Sequence, residues 1–425
     1  MIAGLLVVLL VSCQTTDSVE DPASTHFIKF YGRDGDQTGV DLVALPDGSL
    51  VLFGTSRATD STSTQWYVVK VDAKGTIITE KVFGAPGRID EARDIELMKN
   101  GNLVLVGNTS KGSHRDAMIM TLTPDLVKID SNTVFVDFVG TAGDEDVSSV
   151  TEISDGFIIA GSTTYIGSKT PVAGQADTRD AMQLRVYSNL TKYPISWQQS
   201  YGYYSDDYSV KVVEGTVAGW ADYYVFGATN NPPSGHPTVN YNFWLFGIGS
   251  QGVPFSQVTP SGSISADERM SSFCYTPSGF VMTGLVQSGS SPSDLYFVES
   301  LYPDPVNGFD ALAREKNLSI TLGSSLSGRT AVARSAITRG FLILAEENGF
   351  NGNQNWILTR VNENGTLAWS QPIVFGGEGI DSCGSLQELP DGRIVIIGTM
   401  RTGRPDAGEY KMTLVKVNPE GKFEK

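Results

Sequence analysis

Short apolar runs alternate with polar turns from residue 27 to the end of the chain. One sequence motif recurs seven times: a polar turn, usually with Gly, then an apolar strand and a small residue, as in PDGSLVLFGT at 46–55. The small residues are Gly54, Gly107, Gly161, Gly227, Gly284, Ala345 and Gly398, at spacings of 53, 54, 66, 57, 61 and 53 residues. Self-similarity at such a period indicates a repeat architecture.

Each repeat carries further strand signals. A second apolar run follows the first and alternates with period two in several copies, as in QWYVVKVD at 65–72 and KMTLVKVN at 411–418. Alternation of this kind indicates strands. A fourth, aromatic-rich run ends in Gly, as in WSQPIVFGG at 369–377. The repeat therefore predicts four strands in up-and-down order.

A lone four-stranded sheet cannot cover its apolar faces, and radial arrangement of such sheets buries them against one another. The sequence predicts an all-β fold, a seven-bladed β-propeller with four-stranded antiparallel blades, over residues 27–425. A linear β-solenoid is the alternative, but its coils are normally shorter. The last repeat lacks a fourth strand, whereas residues 27–31 resemble a fourth strand without the other three. We therefore expect this N-terminal strand to close the last blade.

Composition narrows the functional classes. The chain has 31 basic and 47 acidic side chains, so its net charge of −16 argues against nucleic-acid binding. A charged fraction of 18% with 40% hydrophobic residues indicates a folded body rather than a disordered polymer. With three His and three Cys there is little room for a zinc site or a disulfide framework.

The N-terminus predicts export. Residues 1–12 have the length and apolar character of a signal peptide, and the run is too short to span a bilayer. Leu10-Val11-Ser12-Cys13 resembles the lipobox of bacterial lipoproteins, which implies cleavage and acylation of Cys13, with 13–26 as a flexible tether. A buried N-terminal strand with an ordinary Cys is the alternative interpretation.

Further resemblances point to one group of bacteria. The acidic residues after Gln14 resemble the export signal of Bacteroidota surface lipoproteins, and the whole chain resembles their β-propeller lipoproteins. The resemblance implies an outer-membrane, lipid-anchored protein facing the cell surface. Asp17-Ser18-Val19 and Asp60-Ser61-Thr62 resemble the Bacteroidota O-glycosylation motif, which makes Ser18 and Ser61 candidate glycosylation sites.

Acidic residues recur before the first strand of most blades, at Asp36, Asp90, Glu145, Asp206, Asp267 and Asp381, with Arg329 in the sixth. They are either turn caps that accept backbone N–H groups or a ring of carboxylates for a cation. We favour caps, because the residue belongs to the repeat. A weak Ca²⁺ site is the alternative, without an EF-hand pattern. We predict no cofactor beyond the lipid anchor.

We predict no catalytic residue. His26, His114 and His236 lie in polar or turn-like contexts, and neither a Gly-x-Ser-x-Gly nor an HExxH motif is present. Cys274 and Cys383 fall in the first strands of non-adjacent blades, so we expect buried free thiols rather than a disulfide.

The fourth blade is unusually aromatic and is the candidate interaction surface. Its residues include Tyr203, Tyr204, Tyr208, Tyr241 and Trp244. Such rings suit a protein interface or a sugar platform, and packing between blades is the other interpretation. Long insertions at 164–179, 230–241 and 301–318 in the third to fifth blades favour one-sided recognition.

Three functions remain open from the sequence. The leading hypothesis is a non-catalytic surface lipoprotein, an accessory protein-interaction subunit of an outer-membrane β-barrel transport or assembly complex. The second is a surface glycan-binding lipoprotein, and the third is a propeller hydrolase or lyase. Propellers host many unrelated roles, so the fold does not choose among them.

Overall fold

The structure is a computed structural model in which the described residues are all-β and form seven four-stranded sheets. It describes residues 26–423 except 112–113, 135–142, 165–178, 191–194, 203–205, 219, 231–239, 255–258, 262–264, 305–308, 310–313, 324–327, 349–352 and 404–407. The predicted signal peptide, Cys13, Ser18 and nearly all of the tether lie outside the described residues. Within the described ranges, no helix is long and apolar enough to cross a membrane.

The sheets follow the chain as successive blades, each numbered from its innermost strand outward. The first three blades are β2(Asp36–Ala44), β3(Leu50–Arg57), β4(Gln65–Val71), β5(Ile77–Phe83); β6(Ile89–Leu97), β7(Leu103–Lys111), β8(His114–Leu122), β9(Lys128–Val134); and β10(Glu145–Ile153), β11(Gly156–Thr163), β12(Asp180–Tyr187), β13(Ile195–Tyr201). The fourth and fifth are β14(Asp207–Glu214), β15(Tyr223–Thr229), β16(Asn242–Ile248), β17(Thr259–Ser261); and β18(Ala266–Thr276), β19(Gly279–Ser288), β20(Ser293–Leu301), β21(Arg314–Gly323). The sixth is β22(Thr330–Arg334), β23(Gly340–Asn348), β24(Gln354–Asn362), β25(Ile373–Phe375), and the seventh is β26(Ser382–Glu388), β27(Ile394–Thr402), β28(Glu409–Val417).

The predicted closure is confirmed. β1 (Phe27–Tyr31) is the outermost strand of the seventh blade and pairs antiparallel with β28, with Phe27 opposite Lys416 and Tyr31 opposite Met412. Phe27 and Tyr31 are buried, and the Tyr31 hydroxyl donates to the carbonyl oxygen of Gly75 in the first blade at 2.8 Å. One short strand therefore completes the last blade and contacts the first.

The core lies between blades. Among the described residues, buried apolar side chains form seven separate clusters, and each draws its members from two adjacent blades, including the seventh with the first. The reason is the alternation along each strand, which sends successive side chains to opposite faces of the blade. Both faces are therefore covered, and the middle strands are apolar nearly throughout.

The small residue of the repeat has a steric cause. In six blades a Gly on the second strand faces the inner strand directly before a β-bulge, and the register of pairing shifts there. A Cβ on Gly54 would lie 1.7 Å from the carbonyl oxygen of Thr38, and one on Gly161 would lie 2.2 Å from that of Asp146. The sixth blade carries Ala345 instead, and its inner pair has no shift. The glycine thus makes room for a backbone distortion beside the central channel.

Candidate functional site: the amino-end mouth of the channel

The seven inner strands line a central cavity of about 970 Å³. All of them run the same way, so one mouth of the channel is formed by their amino ends and by the connections between second and third strands. We call it the amino-end mouth. The opposite, carboxyl-end mouth carries the turns between first and second strands.

Equivalent positions of the blades can be read from the strand register. In the six blades that have a bulge, the residue just before the bulged pair occupies the same place on the inner strand. Blade six has no bulge, and its equivalent residue is the one directly before β22. Around the amino-end mouth these positions are Thr38, Glu91, Asp146, Tyr208, Arg269, Arg329 and Ser382. The mouth is therefore asymmetric, with acids in the second and third blades and arginines in the fifth and sixth.

The acidic side of the mouth is neutralised locally. The Arg93 guanidinium lies 3.1 Å from the Glu91 carboxylate and 3.0 Å from that of Asp146. Arg115 reaches Asp146 as well, at 3.5 Å. These four side chains form a charge-balanced cluster joining two blades.

A tyrosine and arginine cluster occupies the seam between the fourth and fifth blades. The Tyr208 and Tyr241 rings lie 6.2 Å apart, and the Tyr208 hydroxyl donates to the Met270 carbonyl oxygen at 3.0 Å. The Arg269 guanidinium stacks on the Tyr241 ring, 4.0 Å from its centroid. Burial, with help from Asp206, raises the pKa of Tyr241 to about 12, so this phenol stays neutral. The cluster fixes the Arg269 side chain at the rim of the cavity.

Deeper in the channel, carboxylates join neighbouring blades. Asp41 of the first blade accepts the Ile95 backbone N–H of the second at 3.0 Å. Asp94 of the second blade accepts the Val150 backbone N–H of the third at 2.8 Å. The two carboxyl groups also contact each other, and burial followed by the Asp94 charge raises the pKa of Asp41 well above its usual range. The raised pKa favours the neutral form of Asp41, and the pair links the inner strands of the first three blades.

Lys211 completes this network from the fourth blade. Its ammonium group lies 3.7 Å from the Asp94 carboxylate, donates to Glu96, and donates to the Val150 carbonyl oxygen at 2.7 Å. Burial alone would lower the pKa of Lys211, but Glu96 and Asp94 raise it above its usual value. Every one of these charged groups has a protein partner, which is the pattern of a structural network.

Three of the predicted acidic turn residues accept backbone N–H groups, whereas Asp90 and Glu145 accept hydrogen bonds from the hydroxyls of Thr109 and Thr163. Asp36 accepts a backbone N–H at 3.1 Å, Asp267 accepts that of Tyr241 at 2.8 Å, and Asp381 accepts that of Arg401 at 2.9 Å. The turn-cap interpretation therefore fits these three positions, and at the others it stays a prediction. Among described residues, no group of three or more His, Cys, Asp or Glu side chains is placed to hold a metal ion. The Ca²⁺ alternative stays a prediction without a located site.

The described cysteines are free thiols, and His114 is exposed. Cys383 is buried and Cys274 half-buried, and both are free thiols, as predicted. Burial raises the pKa of Cys274 to about 12, which disfavours the reactive thiolate. His114 lies 3.9 Å from Asp144 at an exposed position. His236 lies outside the described residues.

The aromatic interaction surface needs correction. Trp244 is 2% exposed and packs beside Phe246 between the third and fourth blades, so it belongs to the core. Tyr241 is 8% exposed, with Arg269 on its ring. Tyr203 and Tyr204 lie outside the described residues. Most described rings of the fourth blade therefore fill space between blades, and a sugar platform on them is not supported.

The long insertions do not share one mouth. Segments 164–179 and 230–241 join second to third strands and belong to the amino-end mouth, although most of their residues are outside the described part. Segment 301–318 joins β20 to β21 at the opposite mouth, and its last residues are already strand. Ser61 lies in the corresponding connection of the first blade and is half-buried, with its hydroxyl donating to the Ser63 carbonyl oxygen at 3.2 Å. Its glycosylation stays a prediction.

Comparison with known proteins finds only distant likenesses, all of them among solved structures. No family model matches the chain, and no curated protein matches it. Among solved structures, the chain is similar to a periplasmic gluconolactonase of Pseudomonas aeruginosa, at 13% identity and a TM-score of 0.49, over 80% of this chain and 86% of that one. It is also similar to the β-propeller domain of the trilobed protease of Pyrococcus furiosus, at 8% identity and a TM-score of 0.45, over 91% and 97%.

A third similarity is partial. The acylaminoacyl peptidase of Pyrococcus horikoshii matches at 10% identity and a TM-score of 0.45, over 88% of this chain, which spans half the length of that one. Likenesses this distant carry no argument about activity, substrate or partner. The chain is a seven-bladed β-propeller, and its function has to be argued from its own channel.

Proposed function

We propose that this propeller is a non-catalytic, lipid-anchored accessory subunit that binds a protein partner at the amino-end mouth of its channel. The partner belongs to an outer-membrane β-barrel transport or assembly complex. One observation carries the proposal: the asymmetric ring lies at the mouth where β11 and β15 end and β12 and β16 begin, and the long connections 164–179 and 230–241 join these strands. Long connections on a rigid scaffold commonly carry recognition.

The chemistry of the channel supports binding over catalysis. Its deep carboxylates accept backbone N–H groups of the next blade or pair with Lys211. A general base needs a carboxylate or imidazole directed at a substrate, and a nucleophile needs an activating neighbour. The groups at Asp41, Asp94 and Lys211 instead hold the inner strands together.

Membrane attachment rests on Cys13 and its lipobox-like setting. Several acyl chains on one cysteine anchor far more firmly than one, because each buried CH₂ contributes about 0.8 kcal/mol. We expect the chain to partition into the detergent phase of Triton X-114 when expressed in a bacterium that processes lipoproteins. Cys13→Ser should move it to the aqueous phase. Equal partitioning of the two forms would refute the anchor while leaving the propeller argument intact.

Detergent pull-down of the tagged protein from its native membrane tests the proposed role. We expect an outer-membrane barrel protein to co-purify at fixed stoichiometry and to survive a salt wash. Recovery of the protein alone, at high purity and from gently solubilised membranes, would contradict the proposal. Tagging at the C-terminus keeps the amino-end mouth clear, since β28 ends at the carboxyl-end mouth.

A further inference from the structure

Two arginines from adjacent blades line the basic half of the amino-end mouth. Arg269 in the fifth blade and Arg329 in the sixth occupy equivalent inner-strand positions and line the same cavity. Next to them the Ser271 and Thr330 hydroxyls lie 2.5 Å apart across the seam between these blades. Arg269 is half-buried and Arg329 is exposed. The two guanidinium groups and the hydroxyl pair thus lie on one wall.

Neither arginine forms an ion pair with another described residue. The Nε atom of Arg269 is buried and donates to none of the described residues. Glu346, which faces Arg329, uses its two carboxylate oxygens on the backbone N–H groups of Arg329 and Cys383, each at 3.1 Å. This differs from the acidic half, where Arg93 and Asp146 neutralise each other at 3.0 Å.

Arg269 and Arg329 thus place two guanidinium groups without an ion pair on one wall of a chain whose net charge is −16. A buried polar N–H without a partner costs free energy, so such a group persists where something else satisfies it. The planar guanidinium fork matches a carboxylate, with two parallel N–H···O bonds. This wall of the cavity is therefore suited to binding an anionic ligand.

We propose that Arg269 and Arg329 bind the carboxylates of an acidic segment of the polypeptide partner, which rests on the proposed function. A polypeptide fits better than a sugar, because the Tyr241 face that could stack on a sugar ring is covered by Arg269. The cavity of about 970 Å³ is roomy enough for several extended residues. An acidic segment is repelled by the rest of this acidic chain, so the two arginines fix where and how it docks.

Fluorescence anisotropy with labelled peptides tests the site directly. The probes are a Gly-Glu repeat peptide and the same peptide with Gln in place of Glu, added to the full chain in detergent. We expect the Glu peptide to bind at least about tenfold more tightly than the Gln peptide, with affinity falling as salt rises. Arg329→Gln should weaken binding of the Glu peptide about tenfold or more, and Arg329→Lys should retain part of it because the charge remains.

Arg393→Gln is the matched control. Arg393 lies in the β26–β27 turn at the carboxyl-end mouth and pairs with Asp391, so the substitution removes the same charge far from the cavity. It should leave peptide binding unchanged. Peptide binding by Arg269→Gln is interpreted together with the melting temperature of that variant, because Arg269 also packs on Tyr241 and its loss can destabilise the fold. The exposed Arg329 provides the variant that tests the site independently of folding.

The outcomes separate this inference from the proposed function. Equal binding of the Glu and Gln peptides, or full binding by Arg329→Gln, would overturn the carboxylate site. If the native partner still co-purifies with Arg329→Gln to the same extent as with the unaltered chain, the accessory role stands and the carboxylate site fails. If no partner co-purifies but the Glu peptide binds and Arg329→Gln abolishes that binding, the site stands and the accessory role fails.

Discussion

At the scale of single residues, burial decides which acidic side chains of this acidic chain are charged. Glu145 is fully buried at the start of β10, and its carboxylate accepts one hydrogen bond from the Thr163 hydroxyl at 3.0 Å. Burial is the main cause that raises the pKa of Glu145 to about 8, and the nearby Asp116 and Asp144 add to it. The sequence predicted Glu145 as one more repeat acid. It could not predict the burial, which depends on packing between strands distant in the chain.

The raised pKa makes a prediction about pH. A carboxyl whose folded pKa lies above its unfolded value stabilises the fold at low pH, and that contribution is lost as pH rises from about 4.5 to about 8. Each pKa unit corresponds to about 1.4 kcal/mol. Urea unfolding measures the effect as the free energy of unfolding of Glu145→Gln minus that of the unaltered chain. This difference should increase by about 3–5 kcal/mol between roughly pH 5 and pH 9, because only the unaltered chain loses stability as Glu145 ionises.

Glu378→Gln, at an exposed turn, is the control and should show no such trend with pH. If the free energies of unfolding of Glu145→Gln and the unaltered chain differ by the same amount at both pH values, ionisation of Glu145 does not destabilise the fold. The assignment of a buried, neutral carboxyl would then be wrong.

At the scale of elements, the strands were predictable and the bulges were not. Period-two alternation and Gly turns marked the strands, because side chains that point toward a neighbouring blade pack against apolar side chains there. The bulges follow from close approach of backbone at Gly161 and its equivalents, which leaves no trace in the pattern beyond a conspicuous small residue. Without the bulges the equivalence of Tyr208, Arg269 and Arg329 is hidden. Sequence reasoning therefore noted Arg329 only as an exception and missed Arg269.

The glycine and bulge relation predicts the effect of one methyl group. Gly161→Ala should destabilise the fold by about 2 kcal/mol or more, since its Cβ would lie 2.2 Å from the Asp146 carbonyl oxygen. Gly377→Ala is the matched control, because a Cβ there meets nothing within 4 Å. Chemical unfolding of the two variants measures the difference. Equal stability would mean that the bulge yields readily to a methyl group.

At the scale of the whole molecule, a short strand from the N-terminus closes the ring. The sequence predicted β1 because the last repeat lacked a fourth strand, and the prediction is confirmed. What it could not predict was the second contact of this strand, where Tyr31 donates to Gly75 of the first blade. That contact depends on the proximity of the two ends of the ring, which only closure creates.

Deletion of residues 25–32 tests the closure. Loss of β1 removes the buried Phe27 and Tyr31, each worth about 1.5–3 kcal/mol, and exposes an edge of the seventh blade. The melting temperature should fall by about 5–10 °C, in a single transition for the whole ring. Deletion of residues 14–24, in the predicted tether, is the control and should leave the melting temperature unchanged. An unchanged melting temperature after removing β1 would refute its role in holding the ring.

The proposed function requires a protein partner docked at the amino-end mouth. Site-specific photo-cross-linking in living cells tests it, with benzoylphenylalanine replacing one exposed serine at each mouth of the fifth blade. Ser265 directly precedes β18 at the amino-end mouth, and Ser278 lies in the β18–β19 turn at the other. We expect a cross-link to one membrane protein from position 265 and none from position 278. A cross-link from position 278 alone, or from neither position, would contradict it.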